Sequence, residues 1–180
     1  MILGPRILLS PLVRQFRNKL FHWRNDRALT QLSAWYVPVS EAAHDAWMDQ
    51  MSKRQDMYLF VVVERSANQP IGYCFLADIS TVHHHARLGI AIGEADFRNK
   101  GYGSETMRGL LTFGFEDLNL ERIFLDVASH NLPAIRVYEK CGFVTEGVLR
   151  RHYYVGGQYR DMRMMSMLRQ EYAALAAVGP

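Results

Sequence analysis

Cysteine and long apolar runs are the two features that this sequence has least of. Only two of its 180 residues are cysteines, Cys74 and Cys141, and both stand in apolar surroundings. Two cysteines are too few for a disulfide framework, so we expect a reducing, cytoplasmic environment. No apolar run reaches the ~18 residues that a membrane span needs, so we expect no membrane partner.

A strong charge of either sign is also lacking. Lysine and arginine number 21 against 18 acidic residues, a formal net charge of +3, and no basic run is interleaved with aromatics. A nucleic-acid partner is therefore not expected. Residues 1–17 contain a short apolar stretch without a basic leader or a small-residue cleavage site, so we interpret it as a first strand rather than a signal peptide.

What is present is an apolar chain of single-domain size. Apolar residues make up 49% and charged residues 22%, which indicates one globular domain over residues 1–180. Periodicity and turn residues predict helices within 13–29, 40–54, 103–118 and 132–141, strands within 6–12, 58–64, 71–79, 86–93 and 122–128, and a final hairpin within 148–168. This order predicts an α/β fold with a mixed, mostly antiparallel central sheet and flanking helices.

Two glycines and two cations stand where an apolar strand gives way to a helical pattern, in the run Arg98-Asn-Lys-Gly101-Tyr-Gly103. Glycine lets a ligand approach the backbone closely, and unpaired N–H groups at a helix start favour a phosphate, with Arg98 and Lys100 adding charge. A Walker loop is excluded because its Gly-Lys-Ser/Thr ending is missing. The dinucleotide fingerprint is excluded because Thr106 replaces its third glycine. The plainer alternative is a turn that only joins strand to helix.

A second motif lies in the run NLPAIRVYEKCGF of residues 131–143. Every fixed position of the pattern Asn-x-x-Ala-x-x-x-Tyr-x-x-x-Gly-Phe is present, at Asn131, Ala134, Tyr138, Gly142 and Phe143. Together the two runs resemble the cofactor-binding motifs of the GNAT superfamily of N-acetyltransferases. The order of elements, the run HWRND and the final hairpin are similar to the subgroup of ribosomal-protein N-terminal and bacterial spermidine N-acetyltransferases.

This resemblance implies acetyl-CoA as co-substrate, in a V-shaped slot where the strand 89–93 splays from the strand 122–128. The pantetheine arm would pair with the free strand backbone, and the amide near Ile92 would hold the oxyanion. Asn131 would hydrogen-bond the arm or brace the splay, and the small Ala134 would let the arm pass. The implied acetyl-CoA site comprises Ile90, Ala91, Ile92, Arg98, Asn99, Lys100, Gly101, Tyr102, Gly103, Ser104, Asn131, Ala134 and Tyr138.

Tyr138 is the candidate general acid in direct attack of a primary amine on the thioester. A phenol with a pKa of about 10 stays protonated at neutral pH and would protonate the leaving thiolate. The alternative is a core tyrosine on the buried face of a helix. Glu94, just past the strand, is the candidate base that takes the amine proton, directly or through a water, and its alternative is an exposed turn glutamate. His84, His85 and His152 are weaker candidates for the base.

The run His83-His84-His85 suggests a metal, but consecutive side chains on an extended chain cannot all point one way. No carboxylate or cysteine spacing completes a site, so we expect no metal and a surface loop there. The methionine-rich strand 162–168 predicts core packing or a homodimer contact. The run HWRND, residues 22–26, places Trp23 and Arg24 at the acceptor pocket or at a helix end packed on the core.

Three acceptors remain open: a protein N-terminus, a polyamine, and the amine of a sugar or other small molecule. A polyamine wants a carboxylate-lined pocket, and no acidic cluster stands in the N-terminal half, which favours a small-molecule amine or an amino sugar. A nucleotide-linked amino sugar would suit Arg24 or the arginines of the final hairpin. The alternative class is a non-catalytic sensor that binds acetyl-CoA.

Overall fold

The structure of the protein, a computed structural model, describes residues 1–32 and 37–178. Its strands are β1 (Ile2–Leu3), β2 (Ile7–Pro11), β3 (Tyr58–Glu64), β4 (Gln69–Ser80), β5 (His85–Ile92), β6 (Arg122–Ala128), β7 (Val144–Val155) and β8 (Gln158–Leu168). Its α-helices are α1 (Arg17–Asn25), α2 (Arg27–Leu32), α3 (Glu41–Met51), α4 (Tyr102–Thr112), α5 (Leu132–Lys140) and α6 (Arg169–Val178), and short 3-10 helices span Arg14–Phe16 and Ala95–Phe97. None of the helices in these residues is long and apolar enough to cross a membrane.

Over the described residues, the strands form one eight-stranded sheet in the order β1-β2-β3-β4-β5-β6-β8-β7. Its neighbouring strands are antiparallel except β5 and β6, which run parallel. The predicted mixed, mostly antiparallel sheet is therefore confirmed. The final hairpin is confirmed as well, because Gly156 and Gly157 turn it with φ of 59° and 80°, angles that suit a two-residue turn.

Helices cover both faces of the sheet, because its central strands carry apolar side chains on both sides. On one side, here the α4/α5 face, Val62 and Leu76 join a core with residues of α4 and α5, including Leu110. On the other, the α1/α2 face, Val61 packs with α1 and α2, where Trp23 is 1% exposed. When a sheet is buried on both faces, its strands have nearly continuous apolar sequences, and β3 is an example.

The predicted helix over residues 13–29 is divided in two. The carboxylate of Asp26 accepts hydrogen bonds from the N–H groups of Ala28 and Leu29, so it ends α1 and starts α2. The predicted cap of the next helix is confirmed, since the Ser40 hydroxyl accepts from the N–H of Ala43 at 3.2 Å. Capping residues thus set these boundaries.

Two helical features differ from the prediction. The helix expected over residues 103–118 is α-helical only to the end of α4, and Phe113–Asp117 form a π-helical turn. The C-terminal α6 was not predicted at all. Its Tyr172 ring stacks on Phe115 at 4.9 Å, and its hydroxyl donates to the Glu116 carboxylate at 2.6 Å. A tertiary contact with the π-helical turn therefore fixes α6 in place.

The lack of a side chain at Gly72 lets β4 lie close to β5, so we expect a substitution at Gly72 to destabilise the fold. A Cβ at this position would lie 2.2 Å from the backbone oxygen of Ala91. We expect Gly72→Ala to lower the free energy of unfolding by about 1–3 kcal/mol, the range for overpacking, in urea denaturation. Gly147→Ala is the matched control, because a Cβ there meets nothing within 4 Å. Equal stability of the two variants would contradict this constraint.

Candidate active site

The candidate site is the gap between the two parallel strands. Pairing of β5 with β6 is confined, in the described sheet, to His85–Arg87 against Arg122–Phe124. Beyond these residues the strands diverge, and a cavity of about 500 Å³ lies between them. The predicted splay is therefore confirmed, and the cavity has the size of a small-molecule site.

The cavity passes through the sheet rather than ending at it. Side chains alternate along a strand, so Ile90 packs on the α4/α5 core while its neighbour Ala91 packs on the α1/α2 cluster. Residues from both sides line the cavity, among them Tyr138 of α5 and Tyr73 and Leu29 near α1 and α2. Two ligands can therefore meet in the gap from opposite faces.

The α4/α5 end of the cavity carries an anion-binding helix start. Gly101 is the N-cap of α4 in the left-handed conformation, with φ of 85° and no side-chain cap. Among the described residues, no acceptor pairs with the N–H groups of Tyr102, Gly103 or Ser104. A Cβ at Gly103 would meet nothing within 4 Å, so the space in front of these donors is open. Free N–H groups and the helix dipole together favour a phosphate.

Arg98 was expected to add positive charge at the phosphate site, but its guanidinium pairs with backbone oxygens instead. The Arg98 guanidinium donates to the carbonyl oxygens of Ile92 and Gly93, at 2.9 and 2.7 Å, and so fastens the loop to the end of β5. Arg6, which the sequence analysis did not single out, lies beside the loop. Its Nη2 would be 3.1 Å from a Cβ at Gly101, and its Nε pairs with Glu105 at 2.8 Å. Arg6 is distant in sequence, so no local pattern pointed to it.

The structure brings together most of the predicted cofactor residues. All of them except Lys100 and Tyr102 line the cavity. The carbonyl of Lys100 accepts from Arg6, and the Tyr102 ring lies under the Arg6 guanidinium at 4.5 Å. The amide oxygen of Asn131 accepts from the N–H of Ala134 at 3.3 Å and thereby caps α5.

Tyr138 lies inside the cavity with its proton available. Its side chain is 7% exposed, and its hydroxyl makes no hydrogen bond to the described residues. Burial, followed by the negative charge of Asp126, raises the pKa of the Tyr138 phenol above its ordinary value. The phenol is therefore neutral throughout the physiological range, as an acid must be before it donates.

Glu94 lies at the end of β5 but does not line the cavity. Its Oε1 accepts from Lys19 at 2.9 Å and from the Trp23 indole at 3.0 Å. Burial alone would raise the pKa of Glu94, but these hydrogen bonds and the neighbouring positive charges outweigh it and lower the pKa. Its role as the base stays a prediction.

Asp126 is a carboxylate that sequence reasoning missed. Of the acidic residues that the structure describes, it alone lines the cavity. Its Oδ1 lies 3.8 Å from the Arg87 guanidinium, which is too long for a strong hydrogen bond. Asp126 lies in an otherwise largely apolar strand outside both motifs, and no feature of the sequence distinguishes it from the other acidic residues.

The weaker candidates for the base, His84, His85 and His152, do not line the cavity. The rings of His83 and His85 stack at 5.9 Å beside the turn before β5, and His152 is exposed on β7. No group of three or more metal-binding side chains occurs in residues 1–32 and 37–178. In the methionine-rich strand, Met165 and Met167 are fully buried, so the predicted core packing is confirmed on that face.

The HWRND run divides between the two interpretations. Trp23 belongs to the core of the α1/α2 face, as the packing alternative predicted. Arg24, in contrast, lines a second pocket, which shares Tyr73 with the cavity. One member of the run therefore packs in the core, and the other lines a pocket.

Comparison with known proteins agrees with this architecture. A spermidine N(1)-acetyltransferase of Escherichia coli K12 is 33% identical over 174 residues, 93% of this chain and 89% of the relative. The Vibrio cholerae spermidine N(1)-acetyltransferase is 35% identical over 111 residues, and the match spans 64% of its length. A crystal structure of the Vibrio cholerae spermidine N-acetyltransferase in complex with CoA and spermine superposes with a TM-score of 0.89 at 27% identity, covering 94% of this chain and 99% of that one. Residues 6–144 match the model of the acetyltransferase (GNAT) domain, so the chain belongs to the GNAT acetyltransferase family.

Proposed function

We propose that the protein transfers the acetyl group of acetyl-CoA to a primary amine. The observation that carries this proposal is the slot through the sheet, with free helix-start N–H groups at one end and Tyr138 inside it. Membership of the GNAT family supports the same chemistry. A screen of primary amines with acetyl-CoA, measured as release of free thiol, tests it. Tight acetyl-CoA binding without thiol release from any amine would favour the sensor instead.

The residues at the α4/α5 end fit the phosphates and the arm of acetyl-CoA. The N–H groups that begin α4 receive the pyrophosphate, with Arg6 beside them as a cation. The edge of β5 that β6 leaves unpaired, from Gly89 to Ile92, pairs with the amide groups of the arm as an added strand would. A backbone N–H near Ile92 then stabilises the negative charge that develops on the acetyl oxygen.

The reaction needs two proton movements, and the chain has a group for each. Acetyl-CoA supplies the activated acetyl group as a thioester. The amine nitrogen enters from the α1/α2 face and bonds to the carbonyl carbon, and the carbon–sulfur bond breaks. Tyr138 donates its phenolic proton to the leaving sulfur, and a carboxylate accepts the proton that the amine loses. Tyr138 recovers its proton from solvent when the products leave.

Two carboxylates compete for the base. Glu94 is held by Lys19 and Trp23 outside the cavity, whereas Asp126 lines it. We infer that Asp126 takes the amine proton, because a base must reach the proton directly or through one water. Glu94 then serves to position Trp23 and Lys19 at the end of β5.

The acceptor class is the least constrained part of the proposal. Similarity to spermidine N(1)-acetyltransferases favours a polyamine. The described lining of the cavity has one carboxylate, Asp126, and this carboxylate already lies 3.8 Å from the Arg87 guanidinium. A multiply charged cation is poorly matched by this lining, so we propose a small-molecule amine with few positive charges.

The first prediction of the proposed function concerns the start of α4. Gly103→Val places a side chain in the open space before the free N–H groups, and it should weaken acetyl-CoA binding at least tenfold, about 1.4 kcal/mol, in calorimetry. The fold should be retained because nothing lies within 4 Å of the new Cβ. Gly147→Val on β7 is the control, because a Cβ there is equally open and Gly147 does not line the cavity. Unchanged affinity in folded Gly103→Val would remove the pyrophosphate site from α4.

The second prediction concerns Tyr138. Tyr138→Phe keeps the ring and its packing, so acetyl-CoA affinity and stability should barely change. Turnover should fall by roughly a hundredfold, the range for a lost general acid, and kcat and kcat/KM should fall alike. Tyr154→Phe, which removes an exposed hydroxyl from β7, is the control. Activity within about twofold of the natural enzyme would return Tyr138 to a packing role.

A third prediction separates the two carboxylates. Asp126→Asn and Glu94→Gln each remove one negative charge with little change of shape. Asp126→Asn should lower kcat roughly a hundredfold, as expected when a base is lost. Glu94→Gln should lower kcat less, because Glu94 does not line the cavity. The reverse order of effects would assign the base to Glu94.

A further inference from the structure

The second pocket lies on the α1/α2 face, next to the end of the cavity at which the amine enters. Tyr73 lines both spaces. Leu29 and Thr30, consecutive residues of α2, line the cavity and the pocket respectively. A single small molecule can therefore reach from one space into the other, with its amine in the cavity and its remainder in the pocket.

Arg24 presents a guanidinium to this pocket in a fixed orientation. Its Nη1 lies 3.1 Å from Nδ1 of His44, and its guanidinium stacks on the Trp47 ring at 4.2 Å. His44 is 0% exposed, and its Nε2 lies 3.1 Å from the backbone oxygen of Arg17. Nε2 must donate to that carbonyl, so Nδ1 accepts from Arg24. Burial and the positive charge of Arg24 lower the pKa of His44, in agreement with a neutral ring.

This guanidinium has no countercharge among the described residues. The neighbouring cations do: Arg17 pairs with Asp45 and Glu41, and Lys19 pairs with Glu94. Burial lowers the pKa of Arg24, which no carboxylate offsets. A partly buried cation without a partner costs free energy, and an anionic ligand that pairs with it recovers that cost. The planar group also offers two parallel donors to a carboxylate or a phosphate.

We propose that this pocket binds an anionic group of the acceptor, so that the substrate is a primary amine that also carries a carboxylate or a phosphate. The inference rests on the proposed transfer reaction and narrows its acceptor. The buried His44 fixes the orientation of the Arg24 guanidinium through their hydrogen bond. Because the His44 ring is neutral, it adds no charge to the pocket. A polyamine lacks the anion that this arrangement selects.

The test compares matched ligands on the natural protein. The pairs are hexylamine with 6-aminohexanoate, and glucosamine with glucosamine 6-phosphate; shorter ω-amino carboxylates and spermidine complete the series. Binding is measured by calorimetry on the protein saturated with CoA, and thiol release is measured separately with acetyl-CoA. We expect at least one anionic member to bind roughly tenfold or more tightly than its neutral partner, as a charge-assisted hydrogen bond predicts. The carboxylate and phosphate pairs distinguish the two anions.

Variants then assign the effect to Arg24. Arg24→Gln should abolish the preference for the anionic member, and Arg24→Lys should retain part of it. Arg14→Gln is the control, since Arg14 is 94% exposed in its side chain and lies outside the pocket. Equal binding of neutral and anionic partners by the natural protein, or tightest binding of spermidine, would overturn the proposal. Anion-dependent binding without thiol release from any amine would support the pocket and remove the transfer reaction.

Discussion

The parting of β5 from β6 is the constraint on which the rest of the structure depends. Each strand keeps a full antiparallel partner on its other side, β4 for β5 and β8 for β6, so the sheet survives the gap. Backbone groups along the gap are left for a ligand, because an unpaired buried N–H or C=O is costly. The same divergence opens the sheet from face to face, and without it the two substrates would have no common space.

Charge is distributed unequally along that space. The α4/α5 end has free N–H groups with Arg6 beside them, and the α1/α2 end adjoins Arg24, while Asp126 supplies the negative charge between them. Burial and Asp126 act together on Tyr138 by favouring its neutral form. An ionised tyrosine at this point would be useless as a proton donor. The electrostatics of the centre therefore keep Tyr138 neutral, as the proposed acid requires, and those of both ends suit negatively charged ligands.

Local sequence patterns were sufficient to predict the elements that depend on apolar periodicity and turn residues. Alternating and periodic apolar residues predicted the strands and most helices, and the two glycine-containing motifs predicted the α4 turn and the helix of Tyr138. The division at Asp26, the π-helical turn and α6 depend on side-chain hydrogen bonds and a stacked Tyr172, which periodicity does not encode. Arg6 and Asp126 were missed because neither belongs to the two motifs, and each comes close to the site only in the folded chain. Arg24 was noticed, but its lack of a countercharge emerges only in three dimensions.

The two hydrogen bonds of Arg98 to the end of β5 have a mechanical consequence. They join the loop before α4 to the carbonyls of Ile92 and Gly93 at the end of β5, so the separation between the turn that begins α4 and this strand is restricted. This restricted separation limits the length of any ligand that spans the turn and the strand. In the proposed binding mode, a thioester whose spacer differs by one methylene from the natural length would present its carbonyl out of register with the backbone N–H groups near Ile92. Arg98 would then select the length of the acyl donor through its hydrogen bonds to the protein's own backbone.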